Sequence, residues 1–213
     1  MRNDFRNWRR KYCYLVEILF AVDCPREDIW RRDIYPEYKA TRTHAEDFDR
    51  EIFKKVFDFI EREKNLMIRM IGHPRLEADD ICYILSTKLE EGHILIIAND
   101  NDYLQLCSSR VSVINKEGRE IKDRGCGDAK KDLLRKILTG DKSDNIPGIC
   151  KGMGPKTADK LIALSPEEFE EWMTKKGPDT RANYERNLQL IDMSRIPQVF
   201  IDEVCVQQNL TPP

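Results

Sequence analysis

The sequence lacks any apolar run near the ~20 residues that a helix needs to cross a bilayer, and it offers nothing for a membrane partner to hold. Arginines stand near its start, in MRNDFRNWRRKY, but no apolar stretch leads from them to a cleavage site, so a secretory signal is not expected and the protein reads as intracellular. None of the seven cysteines forms a C-x-x-C pair, and an odd number does not make a disulfide framework. Free, mostly buried thiols in a reducing compartment follow from that usage. Internal repeats and low-complexity tracts are absent, and only the final QQNLTPP reads as a loose tail. The chain also lacks the basic excess typical of nucleic-acid-binding domains, with a formal net charge of −2.

What is present is the composition of a globular protein: 40% hydrophobic and 35% charged residues over 213 positions, enough for one substantial core or a core plus an appendage. Residues 12–22 (YCYLVEILFAV) form a buried strand pattern that stops at Asp23. Phe48, Ile52, Phe53, Val56, Phe57 and Ile60 recur at helical spacing and predict a long amphipathic helix over 45–64. A strand is expected over 65–71, a helix in LEADDICYILSTKL, a second buried strand in HILIIAND and a short one over 111–115. Strands alternating with helices predict an α/β fold with a doubly wound, mostly parallel sheet, whose ligands gather beyond the carboxyl ends of the strands. From about Lys130 the pattern becomes helices joined by Gly- and Pro-rich turns. The expected division is an α/β metal-binding domain over 1–128 and a helical DNA-binding region over 129–213.

Eight carboxylates stand out by position: Asp23, Glu77, Asp79, Asp80, Asp100, Asp102, Asp141 and Asp144. Each group has a purely structural explanation, since acids open helices and cap turns. Taken together they point elsewhere. Spacings of i, i+3 on a helix and i, i+2 on a strand aim side chains one way, and so many acids at one sheet rim repel unless cations neutralise them. Oxygen donors without His or Cys favour Mg²⁺ or Mn²⁺. Two such ions ~3.5–4 Å apart activate a water and clamp a phosphodiester for in-line attack. With these eight acids set aside, the formal charge of −2 becomes +6, a cationic remainder suited to phosphate backbones.

After Asp144 comes NIPGICKGMGPKTADKLI, in which Gly148, Gly152 and Gly154 permit tight turns and close backbone approach. Ile146, Ile149, Ala158, Leu161 and Ile162 are expected to pack two short helices together. Pro155 at the start of the second helix leaves amide donors, with Lys151, Lys156 and Thr157, free for an anion. The segment 142–164 therefore reads as a helix–hairpin–helix that grips a nucleic-acid backbone, against the plainer reading of a structural helical hairpin. Upstream, IWRRDIYPEYKATR sets Arg31, Arg32, Lys39 and Arg42 beside Tyr35 and Tyr38. That mixture of charge and aromatic faces suits a single strand, although a solvated basic face would have the same composition.

In AVD followed by WRRDIYPEYKATR, in LEADDI, in NDNDYLQL and in TGDKSDNIPGICKGMGPKTA, the chain resembles the 5′-nuclease family of flap endonucleases, DNA polymerase I 5′-nuclease domains and phage ribonuclease H type enzymes. The resemblance runs from about Val16 to Leu164, with a looser match to Pro197. It implies a PIN-like sheet domain with two metal sites, joined to a helix–three-turn–helix that grips duplex DNA and often holds K⁺. Asp23, Glu77, Asp79 and Asp80 match the surroundings of the first site, and Asp100, Asp102, Asp141 and Asp144 those of the second. Tyr38, Lys39 and Arg42 match the base of the helical arch, with Lys39 expected as the electrostatic catalyst and Arg42 beside it on the scissile phosphate. The implied activity is Mg²⁺-dependent hydrolysis near 5′ ends of DNA flaps, nicks or RNA primers by a monomer working among replication proteins. In one respect the pattern departs: family members usually begin with a strand ending in aspartate and then a helix, ahead of the strand matched by 15–22. That departure keeps open a DNA-junction binding protein that has lost hydrolysis. A toxin-type ribonuclease is a third reading, disfavoured by the GMGPKT hairpin.

Overall fold

A computed structural model of the chain describes residues 17–42 and 68–210, together with Lys54, Lys55, Asp58 and Arg62, which are helical. Most of the helix expected over 45–64, and the start of the strand expected over 12–22, fall outside the described residues. Two parallel strand pairs form the α/β part. β1 (Ile18–Val22) pairs with β2 (Ile68–Gly72) in the register Ile18 to Ile68 and Val22 to Gly72. β3 (Ile94–Ile97) pairs with β4 (Val111–Ile114), Ile94 facing Val111. A short helix, α1 (Arg31–Ile34), follows β1.

Among the described residues the two pairs are not hydrogen-bonded to each other, so the continuous sheet expected from the alternation appears here as two parallel halves. Helix α2 (Ala78–Lys88) spans both. Its Ile81, Ile84 and Leu85 pack with Ile71, Leu19 and Ala21 of the first pair, while Cys82 and Tyr83 meet Ile94, Ile96 and Val113 of the second. The helix starts where it does because Glu77 and Asp80 form a reciprocal capping box, Asp80 accepting the Glu77 amide at 3.1 Å.

The C-terminal half is helical: α3 (Ala129–Thr139), α4 (Pro155–Ile162), α5 (Pro166–Lys176), α6 (Pro178–Ile191) and α7 (Gln198–Gln207). Start signals are legible in each of the first four. Asp128 caps α3 by accepting from the amides of Lys130 and Lys131, Ser165 and Glu168 box α5, and proline opens α4, α5 and α6. α7 turns back onto the first strand pair, burying Ile201, Val204 and Cys205 against Ile71, Leu76 and Ile84.

The hairpin over 142–164 differs from expectation in its first arm. Residues 140–154 are turns, with one 3₁₀ turn at Lys142–Asp144, and the paired helices are α3 and α4. Asn145 is left-handed (φ 60°), and Pro147 removes a donor, so a helix cannot continue there. Ile149, Ala158, Leu161 and Ile162 pack together as expected, with Leu138 joining them from α3, but Ile146 belongs to a separate cluster with Ile29, Tyr38 and Ile137. Gly140 ends α3 at φ 74°, where a Cβ would stand 2.3 Å from the Ile146 carbonyl oxygen. That close approach lets the turn fold back, with Asp141 and Ile146 exchanging backbone bonds at 2.7 and 2.8 Å.

Candidate metal centre and its counter-cations

Six of the eight acids come together in two clusters. Glu77, Asp79 and Asp80 offer oxygens within 4.8 Å of one another, and so do Asp102, Asp141 and Asp144. The first cluster is the opening turn of α2. The second is assembled from the 3₁₀ turn Asn101–Leu106 after β3 and the turn after α3. Asp23 and Asp100 belong to neither. Asp23 caps α2 by accepting from the Ala78 amide at 2.8 Å, and Asp100 caps its own turn by accepting from the Asp102 amide at 3.0 Å.

The two clusters meet through the 36–42 loop. The Lys39 amide donates to the Asp144 carbonyl at 2.9 Å and the Asn145 side chain to the Glu37 carbonyl at 2.8 Å, which ties this loop to the turn carrying Asp141 and Asp144. The Tyr38 hydroxyl lies 3.0 Å from Glu77 Oε2 and 3.2 Å from Asp144 Oδ2, donating to one or the other. Lys39 Nζ bonds Glu77 and stands 3.8 Å from Asp144, while Arg42 pairs with Asp144. Asp79, Asp102, Asp141 and Asp144, with Arg31, Tyr38 and Lys136, line a cavity of about 10 Å³ between the clusters. A space of that size takes one water-sized body.

The chain supplies its own cations to this acid. Arg31 is 2% exposed and spends its guanidinium on Asp80 (2.6 and 2.8 Å), Glu77 (3.1 Å) and the Leu190 carbonyl (2.8 Å). Asp80, wholly buried, also accepts from the Trp30 indole at 3.0 Å, so its oxygens are fully engaged. Lys136 Nζ bonds Asp102 and lies 2.7 Å from Asp141 Oδ2. These contacts set the titration of the site. Burial, then the neighbouring Asp80, pushes Asp79 up to about 8. Burial pushes Asp102 up against the pull of Lys136. For Asp141 burial works the same way but is outweighed by bonds from Lys136 and Ser143, and its carboxyl falls to about 2. Burial disfavours charge on Lys39 and Lys136, yet their carboxylate partners prevail and both lie above the ordinary lysine value.

Two basic-face assignments change. Arg31 was expected to meet a nucleic-acid strand and is instead locked inside by its carboxylates. Tyr38, 2% exposed, offers no ring face for stacking because its hydroxyl reaches the acids through the core. Arg32 is half-buried beside the Tyr38 carbonyl, and Arg42 remains exposed at the rim. On the hairpin, Lys151, Gly152, Lys156 and Thr157 are exposed, Gly154 is half-buried, and among the described residues neither lysine meets a carboxylate. Gly148 lets the backbone approach α3, since a Cβ there would stand 3.0 Å from the Thr139 carbonyl. Sequence reasoning missed Lys136, Trp30 and the Leu190 carbonyl. For Lys136 the available signal was a cation in the last turn of a helix, a place that serves the helix dipole equally well.

Carboxylate clusters on the opening turn of α2 and on the turns after β3 and α3, beside a helical pair with exposed lysines, give an α/β fold whose donor set suits hard divalent cations. The model of the 5′-3′ exonuclease, N-terminal resolvase-like domain family matches residues 7–133, and the chain belongs to that family. It is 32% identical over 192 residues to a thermostable DNA polymerase I of Thermus filiformis, covering 84% of this chain and 22% of the relative. A 5′-3′ exonuclease of Buchnera aphidicola is 32% identical over 161 residues, covering 72% of this chain and 54% of the relative. The chain thus spans about a quarter to a half of these relatives' length. Its fold is similar to that of the bacteriophage T5 D15 protein crystallised with metal ions, with a TM-score of 0.68 and 20% identity over 96% of this chain and 89% of that one. The T5 D15 flap endonuclease in a pseudo-enzyme-product complex with DNA and metal ions superposes with a TM-score of 0.67 at 20% identity, over 95% of this chain and 86% of that one. No helix among the described residues is long and apolar enough to cross a membrane.

Proposed function

We propose that this chain is a divalent-metal-dependent 5′-3′ exonuclease and flap endonuclease, hydrolysing phosphodiesters near the 5′ ends of DNA flaps, nicks or RNA primers. The observation that carries the reading is the convergence of two carboxylate clusters, joined by Tyr38 and Lys39, with Asp79 of the first and all three acids of the second lining one small cavity. The all-oxygen donor set fits two Mg²⁺ or Mn²⁺ ions, with Asp79 and Glu77 as holders of one and Asp102, Asp141 and Asp144 of the other. When bound, such ions supply an activated water and charge neutralisation at the phosphate. The chain's own residues do the remainder. Arg42, exposed at the rim, is placed to draw the scissile phosphate toward the acids, while the buried Lys39, expected to be the electrostatic catalyst, is held on Glu77 beside Asp144 and would act from inside the site, and Tyr38 fixes Glu77 relative to Asp144. The exposed Lys151 and Lys156, with the amides at the start of α4, hold the duplex backbone without reading sequence.

The test is cleavage of a labelled 5′-flap or nicked duplex in Mg²⁺. Activity abolished by EDTA and by Asp141→Asn, with flap binding retained in the variant, supports the proposal; cleavage indifferent to both contradicts it. A second reading, a DNA-junction binding protein without hydrolysis, draws on the four cations of the chain already set against the clusters, three of them withdrawn from solvent, and on the diversion of Asp23 and Asp100 to capping. Tight flap binding with no metal-stimulated cleavage selects it.

A further inference from the structure

Lys136 extends from the last turn of α3 into the second cluster and bonds two of its three acids at once, Asp102 and Asp141. Its side chain is 24% exposed, so the ammonium is largely withdrawn from water. It also lines the small cavity between the clusters. A divalent ion on the same two carboxylates would sit ~2.1 Å from their oxygens. A nitrogen hydrogen-bonded to the same oxygens, 2.7 Å from Asp141 Oδ2, would stand within about 5 Å of that ion. Two cations that close, sharing one pair of acids in a largely buried site, repel and compete for the same oxygens. Arg31 differs in kind. It is pinned additionally by the Leu190 carbonyl and buried on all sides, whereas among the described residues Lys136 is anchored by the acids it neutralises alone.

We infer that Lys136 is a built-in occupant of the second cation position, which a divalent ion must displace before Asp102 and Asp141 can ligate it. The inference rests on the metal-binding reading above and adds a determinant of occupancy to it. With Lys136 in place the second site stays compact without metal, and it binds a divalent ion more weakly than it would with the lysine removed. Displacement swings a freed ammonium toward solvent at the rim. By linkage, the metal weakens the lysine's hold on the acids as much as the lysine weakens the metal's.

The experiment has two readouts on the whole chain. Mn²⁺ binding is followed by calorimetry in 0.5 M KCl, roughly the salt that screens distant charges beyond a few ångströms. Lysine reactivity is followed by brief acetylation and mass spectrometry, with and without Mn²⁺. The expected result is that one of the two Mn²⁺ constants of the wild type is tightened at least tenfold in Lys136→Met while the other is unchanged. Lys136→Gln, checked for fold by circular dichroism, reads the same way should the methionine variant fail to fold. Lys136 acetylation should rise severalfold when Mn²⁺ is added, while Lys156 stays constant. Unchanged constants together with Lys136 acetylation that is unchanged or lower in Mn²⁺ would overturn the displacement while leaving the metal site standing. No Mn²⁺ binding in either protein overturns both this inference and the metal-dependent function.

Discussion

Replacing Arg31 by methionine probes the join between fold and site. Methionine keeps most of the aliphatic bulk, so the change is mainly one of charge and hydrogen bonding. Four contacts are lost: two to Asp80, one to Glu77 and one to the Leu190 carbonyl. Breaking one side of a buried ion pair costs about 3–5 kcal/mol, because the partner charge stays inside. The stranded carbonyl adds about 1 kcal/mol. Proton uptake sets a ceiling on the first figure: keeping a carboxyl of ordinary pKa, about 4, in its protonated form costs about 4 kcal/mol at pH 7 and far less at pH 5. The expected loss is therefore about 4–5 kcal/mol at pH 7, a large part of the 5–15 kcal/mol typical of a domain, and clearly smaller at pH 5. Urea denaturation at the two pH values measures it. The double variant Arg31→Met/Asp80→Asn should recover much of the loss, since it removes the orphaned charge. A loss under about 1.5 kcal/mol at pH 7, or one independent of pH, would refute the reasoning that Arg31 is the buried counter-charge on which the α2 turn depends.

Gly140→Ala forces a Cβ into the Ile146 carbonyl oxygen at φ 74° and should cost about 2 kcal/mol or more, read as a lowered urea midpoint. Asp141, held at about 2 in the fold, contributes stability above the ordinary carboxylate range that is lost as pH falls through 2. Allowing for its partial exposure the contribution is about 1 kcal/mol, and the stability gap between wild type and Asp141→Asn should narrow between pH 4 and pH 2. Asp79, pushed up to about 8, carries a proton at neutral pH that a divalent ion must expel. Calorimetry in buffers of different ionisation enthalpy should show proton release on Mn²⁺ binding at pH 6.5 and little at pH 9.

The sequence made the elements and most of the acids legible because both are written in local patterns. Strand runs ending near carboxylates, the Glu77–Asp80 helix opening and the proline and glycine punctuation of the C-terminal helices all took their expected form. Capping and membership of a cluster also coincide: Glu77 is an N-cap and a cluster member, and Asp141 caps a turn while facing the cavity. What local pattern could not reveal was long-range pairing. Arg31 and Tyr38 carry the composition of a basic, aromatic surface, and only the packing of α1 against α2 and α6 turns them inward. Lys136 was missed because Asp102 lies 34 residues upstream, while Asp141, five residues downstream, comes within reach only through the turn that ends α3 at Gly140.

Anomalous scattering from crystals grown in Mn²⁺ tests the central claim most directly. The account predicts Mn²⁺ peaks about 2.1–2.3 Å from carboxylate oxygens of Asp79 and of the Asp102, Asp141 and Asp144 group, with Lys136 moved off its acids. Full Mn²⁺ loading with no peak at either cluster, or peaks only at outlying acids such as Asp128, would contradict it.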